Sequence, residues 1–116
     1  MTTPIHTLVT SLLTPVLANS WAIELPPNPT WPAIVFEVAT EPEEGWSAGV
    51  SYDRHDVQVV ILARTLDEVL TLQPQVVAAF EACPQLMYED ASGDADYEAD
   101  AEVYGRFVTF VLRTRR

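Results

Sequence analysis

The feature that most constrains the fold of this 116-residue sequence is an unbroken apolar run followed directly by a helix-start motif. Residues 59–63 are apolar at every position, whereas a strand with one solvent-facing side alternates apolar and polar residues. Thr65 and Glu68 then have the spacing of a capping box, in which the hydroxyl and the carboxylate each accept a free backbone N–H at the helix start. The pattern predicts a central strand that leads into a helix ending near Ala82. Helices would cover one side of this strand, and a neighbouring subunit is the candidate cover for the other side.

A second helix is predicted at the beginning of the chain. Apolar residues recur at helical spacing over residues 4–18 and would form one stripe of an amphipathic helix. Pro15 lacks the N–H that the helix needs, so we expect a kink or restart near Thr14. The following segment, residues 20–32, contains four prolines and is predicted to be a stiff loop pinned by its two tryptophans.

The remaining apolar segments have strand patterns. Strands are predicted at residues 33–38, 46–64, 86–88 and 103–113, with a turn over Glu41–Gly45. Pro74 predicts a bend or a break in the second helix after Gln73. The order α-β-β-α-β-β predicts an α+β fold: a mainly antiparallel sheet with two principal helices packed on one face, in a single domain over residues 1–116.

The charge balance excludes one large class of function. There are 17 acidic residues against 6 basic ones, for a net charge of −11, and every basic residue is an arginine. Nucleic acid is bound through clustered cations that neutralise phosphates, and no basic residue precedes Arg54. We therefore expect no specific binding of DNA.

The cysteine count and the hydropathy pattern indicate the cellular compartment in which the protein is made. Cys83 is the only cysteine, and no apolar run approaches the roughly 20 residues that cross a bilayer. The first residues also lack the cationic start of a secretory signal. We expect a protein that is made in a reducing cytoplasm and has no membrane partner.

One cluster has the residue types of a catalytic or metal site. Ser51, Asp53 and His55 would share a face of a strand, but successive members would lie about 6–7 Å apart, too far for an aligned relay. A single imidazole with carboxylates is also a poor zinc site. We predict a solvated strand with an Asp–Arg contact, no catalytic residue, no cofactor and no metal.

The acidic segment from Glu89 to Glu102 contains seven carboxylates and no cation. On a strand, alternating carboxylates would line one face and repel, so the segment is either a solvated loop or is neutralised by positive groups. Its spacing does not match an EF-hand calcium loop. Our hypothesis is that an acidic patch on one subunit meets the basic terminus of the next in a head-to-tail contact. The interface residues predicted in this way are Asp94, Asp96, Glu98, Asp100, Arg113, Arg115 and Arg116.

Taken in order, the elements resemble the tail terminator, or tail completion, proteins of long-tailed bacteriophages. The resemblance covers nearly the whole chain and rests on the first helix (Ile5 to Leu17), the proline-rich loop into Pro32–Phe36, the strand-to-helix unit Val57–Glu68 and the closing strand Val103–Leu112. It implies a homo-oligomer, a hexameric ring, that caps the head-proximal end of the tail tube and joins the tail to the neck. The implied partners are the tail tube protein and a neck or connector protein, with DNA passing through the lumen, in a virion assembled in the host cytoplasm.

Two other interpretations of the sequence stay open. The chain could be a neck or head-to-tail connector protein, which would contact the portal side without capping a tube. It could also be a small acidic adaptor or inhibitor that binds a basic protein partner. An enzyme is the least expected class, because no pocket with convergent polar groups is predicted.

Overall fold

The computed structural model describes residues 4–44, 51–96 and 102–115, which form two helices and one five-stranded sheet. In chain order the elements are α1 (Ile5–Leu13), β1 (Ser20–Ala22), β2 (Ala33–Glu44), β3 (Ser51–Ala63), α2 (Leu66–Glu81), β4 (Leu86–Asp96) and β5 (Tyr104–Arg115). The strands lie in the order β1-β2-β3-β5-β4, and every pairing is antiparallel except that of β1 with β2. The predicted α+β class is confirmed. Neither of these helices, at 9 and 16 residues, is long and apolar enough to cross a membrane.

The first helix is shorter than its apolar stripe predicts. It ends at Leu13, and the N–H groups of Val16 and Leu17 both bond to the Leu13 carbonyl in the turn that follows. Pro15 lies within this turn, so the helix ends near Thr14, where a kink or a restart was expected.

The second helix begins where the capping box predicts. The Thr65 hydroxyl accepts the Glu68 N–H at 3.3 Å and donates to the Glu68 carboxylate at 3.4 Å. No break follows Gln73, because the helix continues through Pro74 to Glu81. Side chains on both sides of the proline are fully buried against the sheet, and the ring of one of them, Phe80, stacks on that of Phe110 with centroids 4.0 Å apart. This packing outweighs the loss of one helical hydrogen bond.

β2 and β4 extend further than the sequence patterns indicate, whereas residues 46–50 of the strand predicted at 46–64 lie outside the described residues. Residues 41–44, predicted as a turn, belong to β2 and pair with residues 51–54 of β3, while Gly45 lies outside the described residues. Beyond Phe36, β2 has no described strand on its outer side, which is where a sheet tolerates a proline such as Pro42. Part of the predicted loop is also a strand, since residues 20–22 pair in parallel with β2.

The loop before β2 is held mainly by a side chain that the sequence analysis did not single out. Asn19 donates to the carbonyls of Thr30 and Pro32 at 2.8 and 2.9 Å and accepts from the Trp21 indole at 2.6 Å. The Arg64 guanidinium lies 5.9 Å from the Trp31 ring centroid. The tryptophans therefore contribute to a loop that is fixed through Asn19.

The two helices pack on only one of the two faces of the sheet. Both helices contribute to the core on one face, where alternate strand residues are fully or almost fully buried; these include Ile34, Phe36, Val57, Val59, Ile61, Val108, Phe110 and Leu112. The opposite face, which we call the helix-free face, presents the alternate set, including Val35, Val60 and Phe107. The central position of β3 confirms the strand predicted from its apolar run. Leu62, on the helix-free face, is only 2% exposed within one copy.

Candidate subunit interface

Three arginines meet at one end of the sheet. The register of β3 with β5 places Arg54 directly opposite Arg113, and Arg115 opposite Tyr52, all on the helix-free face. We call Arg54, Arg113 and Arg115 the arginine end. Like charges directly opposite each other repel, so their arrangement requires neighbouring anions or aromatic rings.

Those neighbours lie within the same chain. Arg113 forms a 2.7 Å ion pair with Glu43, and its guanidinium lies 5.2 Å from the Tyr52 ring centroid. Arg54 pairs with Asp56 at 3.3 Å, and this carboxylate is the main cause of the raised pKa of Arg54. Arg115 is exposed and makes no ion pair with a described residue, while Arg116 lies outside the described ranges. Arg113 and Arg115 are the predicted interface arginines that the structure describes, and of these only Arg115 has no ion pair with a described residue.

The acidic segment is a strand as far as the structure describes it. Residues 89–96 continue β4, so the solvated loop that was one of the two expectations is wrong for this part. Asp94 lies opposite Arg106, which binds its carboxylate at 2.7 Å and donates from Nε to Gln73 of α2 at 2.8 Å. The positive neighbour that such a strand requires is therefore supplied by β5 of the same chain.

The other predicted acidic residues are described less completely. Asp96 lies opposite Tyr104 at the end of β4, whereas Glu98 and Asp100 are outside the described residues. Glu102, with a side chain 89% exposed, approaches Arg64 at 3.9 Å. Asp94 is 85% exposed despite its ion pair. We call Asp67, Asp94 and Glu102 the acidic end, because all three lie near the β3–β5 position at which Ala63 faces Tyr104.

The acidic end and the arginine end are far apart in one molecule. They lie toward opposite ends of β5, and from Tyr104 to Arg113 the strand rises about 30 Å. The molecule measures 53 × 25 × 24 Å. Among the described residues, the structure thus does not bring Asp94 together with Arg113 and Arg115 in one copy, and a contact between them would require two copies.

Exposed apolar side chains accompany both ends, and the sequence analysis missed them. Leu66 and Leu70 of α2 are each 46% exposed and Tyr104 is 52% exposed, all at the acidic end. Met87 and Tyr88, at 42% and 45%, start β4 beside the C-terminal part of β5. The exposure of the two leucines could have been predicted from the sequence, because they fall outside the apolar stripe of α2 that contains Val69, Val76 and Phe80.

The cluster around His55 differs from its prediction. His55 is only 4% exposed, where a solvated strand was predicted, and its ring nitrogens bond to the hydroxyls of Thr40 (2.8 Å) and Thr114 (2.7 Å). Burial lowers the pKa of His55, Asp53 acts in the opposite sense, and His6 adds to the lowering. The expected Asp–Arg contact is confirmed between Asp56 and Arg54 at 3.3 Å.

Few reactive side chains converge near His55 in the described residues. In the parts of the chain that the structure describes, no three His, Cys, Asp or Glu side chains are grouped to hold a metal ion. An open recess of about 290 Å³ on the sheet is lined by Glu37, Asp56, Gln58 and Thr109, among others. Its Asp56 carboxylate is already bound by Arg54. Cys83, just beyond α2, is buried and donates to Gln85 at 3.1 Å.

Comparison with solved structures shows a likeness in fold. No protein-family model matches the chain, and neither does any curated protein. A chain in the solved structure "Virion of native gene transfer agent (GTA) particle" is similar in fold, with a TM-score of 0.57 and 12% sequence identity. The match covers 90% of this chain and 84% of the other. The chain therefore shares its α+β fold with a component of a virion.

Proposed function

We propose that this chain is a structural protein of a virion, and within that class a tail terminator. In this role, copies of the chain form a ring, with six subunits in the family that it resembles. The ring caps the head-proximal end of the tail tube and joins the tail to the neck. The observation that carries the proposal is the fold likeness to a virion component over 90% of the chain.

The distribution of polar groups supports a role exercised by surfaces. The buried His55 has both ring nitrogens bonded to threonine hydroxyls, so its imidazole serves the packing of three strands. Three ion pairs lie instead at the two ends of the sheet, where a neighbouring molecule could reach them. Heterologous contacts between such ends close into rings when the rotation between copies permits.

The net charge of −11 is compatible with a ring through which DNA passes. A negative lining repels the phosphates of DNA, so the polymer would move through the lumen without adhering to the wall. The tail tube protein and a neck protein would then bind the two rims of the ring, and assembly would take place in the cytoplasm of the host.

Electron microscopy of particles assembled with and without this gene tests the proposal. For a terminator, tubes made without the protein grow beyond their normal length, and supplying the gene in trans restores the length. Tails of normal length that fail to join heads would instead identify a neck or head-to-tail connector. Normal, joined particles in the absence of the gene would refute a structural role in the virion.

A further inference from the structure

We propose that α1 is a pH-sensitive part of the fold, which opens from the sheet on acidification while α2 stays packed. Two histidines would form the sensor: His6 in the first turn of α1, and His55 on the face of the sheet that the helices cover. The proposal goes beyond the proposed function, because it concerns a response of the single chain and requires neither a ring nor a tube.

The start of α1 lacks the groups that usually stabilise a helix N-terminus. Its N-cap residue is Pro4, which makes no side-chain capping hydrogen bond, and the first turn contains no acidic residue. His6 lies in that turn, where the backbone N–H groups carry a partial positive charge and a cation is unfavourable. The recess beside His6 is lined by Thr7, Thr10 and Ser11, which are uncharged. A proton on His6 therefore destabilises the start of α1.

The two helices differ in how firmly they are held. α2 has 16 residues, a side-chain cap from Thr65, two carboxylates in its first turn and three fully buried side chains. α1 has nine residues, and only Val9 and Leu13 of them are fully buried. A helix of this length depends on its packing for stability. We therefore expect α1 to open at a lower cost in free energy than α2.

His55 lies on the face of the sheet against which both helices pack. It shares this face with Val57 and Val59, which follow it at alternate positions of β3 and belong to the core. The ring is 4% exposed, and its nitrogens bond to the hydroxyls of Thr40 on β2 and Thr114 on β5. A positive charge on this ring would lose most of its hydration as long as the core face is covered.

His6 and His55 are close enough for their charges to interact. The His6 ring centroid lies 6.1 Å from that of Phe36, a residue of β2 on the same face as His55. Burial is the largest cause of the lowered pKa of His55, Asp53 opposes it, and His6 adds to the lowering. The groups that face His55 are thus two neutral hydroxyls, one carboxylate and a second imidazole. Once His6 is protonated, its charge disfavours a proton on His55.

Opening of α1 relieves both unfavourable interactions. The charge of His6 leaves a helix N-terminus, and water gains access to the part of the core face that contains His55. The open form therefore binds protons more readily, so opening becomes easier as the pH falls below the usual histidine pKa of about 6.5. At about pH 5.5, one histidine that is fully relieved raises the opening equilibrium by at most about tenfold.

Hydrogen exchange detected by mass spectrometry measures the opening of each helix separately. Between about pH 7.5 and about pH 5.5, corrected for intrinsic exchange rates, we expect protection of residues 5–13 to fall roughly three- to tenfold relative to residues 66–81. His6→Gln and His55→Gln should each reduce this relative loss, and the double variant should abolish it. Thr7→Gln is the matched control, because it changes an exposed neighbour in the same turn without removing a titrating group.

The possible outcomes separate local opening from other effects of pH. An equal loss of protection in both helices would indicate unfolding of the whole domain and would overturn the proposal. So would a pH dependence that is the same in His6→Gln as in the parent. The exposed position of His6 allows this variant to fold even if His55→Gln does not. None of these results depends on a role in a virion.

Discussion

The guanidinium of Arg106 lies 2.7 Å from the carboxylate of Asp94 on the neighbouring strand and also donates to Gln73 of α2. One half-buried cation thus connects the edge strand, the strand beside it and the helix above them. This arrangement explains how a segment rich in carboxylates can form the edge of the sheet, where charged side chains also discourage unwanted strand pairing.

Removing Arg106 should destabilise the fold. We expect Arg106→Ala to lower the free energy of unfolding by about 1–2 kcal/mol, because it leaves Gln73 without its partner and removes an ion pair. Asp94→Asn should cost less than about 0.5 kcal/mol, since Asp94 is 85% exposed. Urea denaturation measures both values. An equal loss in the two variants would show that the contact with Gln73 contributes nothing.

Acidification should destabilise the protein through His55. Burial lowers the pKa of His55 below its usual value of about 6.5, so the unfolded chain takes up the proton at a higher pH than the folded protein does. The stabilising contribution is complete above about pH 6.5 and is lost as the pH falls through the folded pKa. Asp53 opposes this lowering and His6 reinforces it.

Denaturation curves at about pH 7.5 and about pH 5.5 measure the effect, and His55→Gln is the comparison because it cannot titrate. The variant should lose less stability on acidification than the parent. A histidine resonance of the native protein that titrated above the usual value, and was assigned to His55, would contradict the prediction.

Two strand glycines should respond differently to a methyl group. A Cβ on Gly105 would lie 2.8 Å from the Ala95 carbonyl oxygen and 2.8 Å from Leu62, and backbone atoms in a sheet cannot yield easily. A Cβ on Gly93 would lie 2.9 Å from the edge of the Phe107 ring, which is only partly buried and can turn aside. We expect Gly105→Ala to cost about 1–3 kcal/mol and Gly93→Ala clearly less. Thermal unfolding compares the stability of the two variants. A larger loss of stability in Gly93→Ala than in Gly105→Ala would refute the explanation.

Charge reversal at the C-terminal arginines should impair self-association. Arg115→Glu, alone or with Arg116→Glu, should reduce the sedimentation coefficient under assembly conditions, because it places a carboxylate near the acidic end of the next copy. Added salt should narrow the difference between variant and parent. Arg64→Glu makes the same change in net charge at the acidic end, where an added carboxylate should not reduce association, so an equal loss in that variant would indicate an effect of net charge alone. Unaltered sedimentation of Arg115→Glu would remove this charge from the interface.

The fold was predictable where the determining residues are neighbours in the chain. The capping box places the start of α2 because Thr65 and Glu68 bond to each other across three residues. The turn expected at residues 41–44 was wrong because proline and glutamate indicate a turn locally, whereas pairing with β3 satisfies the backbone as a strand. Of the bend or break predicted at Pro74, the break is absent for a related reason, because burial of Val76 and Phe80 decides the course of that helix.

The candidate interface was predictable only in its composition. The sequence indicated which segments are acidic and basic, but Arg113 has its ion pair with a residue of the segment mispredicted as a turn. The exposed residues Met87, Tyr88 and Tyr104 resemble ordinary strand residues in the sequence. Their exposure depends on where the sheet ends and on which surfaces the two helices cover.

By itself, the sequence determined the α+β class, the central strand and the acidic character of the surface, because periodicity, capping and charge act over a few residues. Only the tertiary structure decided which charges are compensated within one copy and which apolar side chains stay exposed. Those properties depend on strand register, which brings residues far apart in the chain into contact and is fixed by burial of the whole core at once.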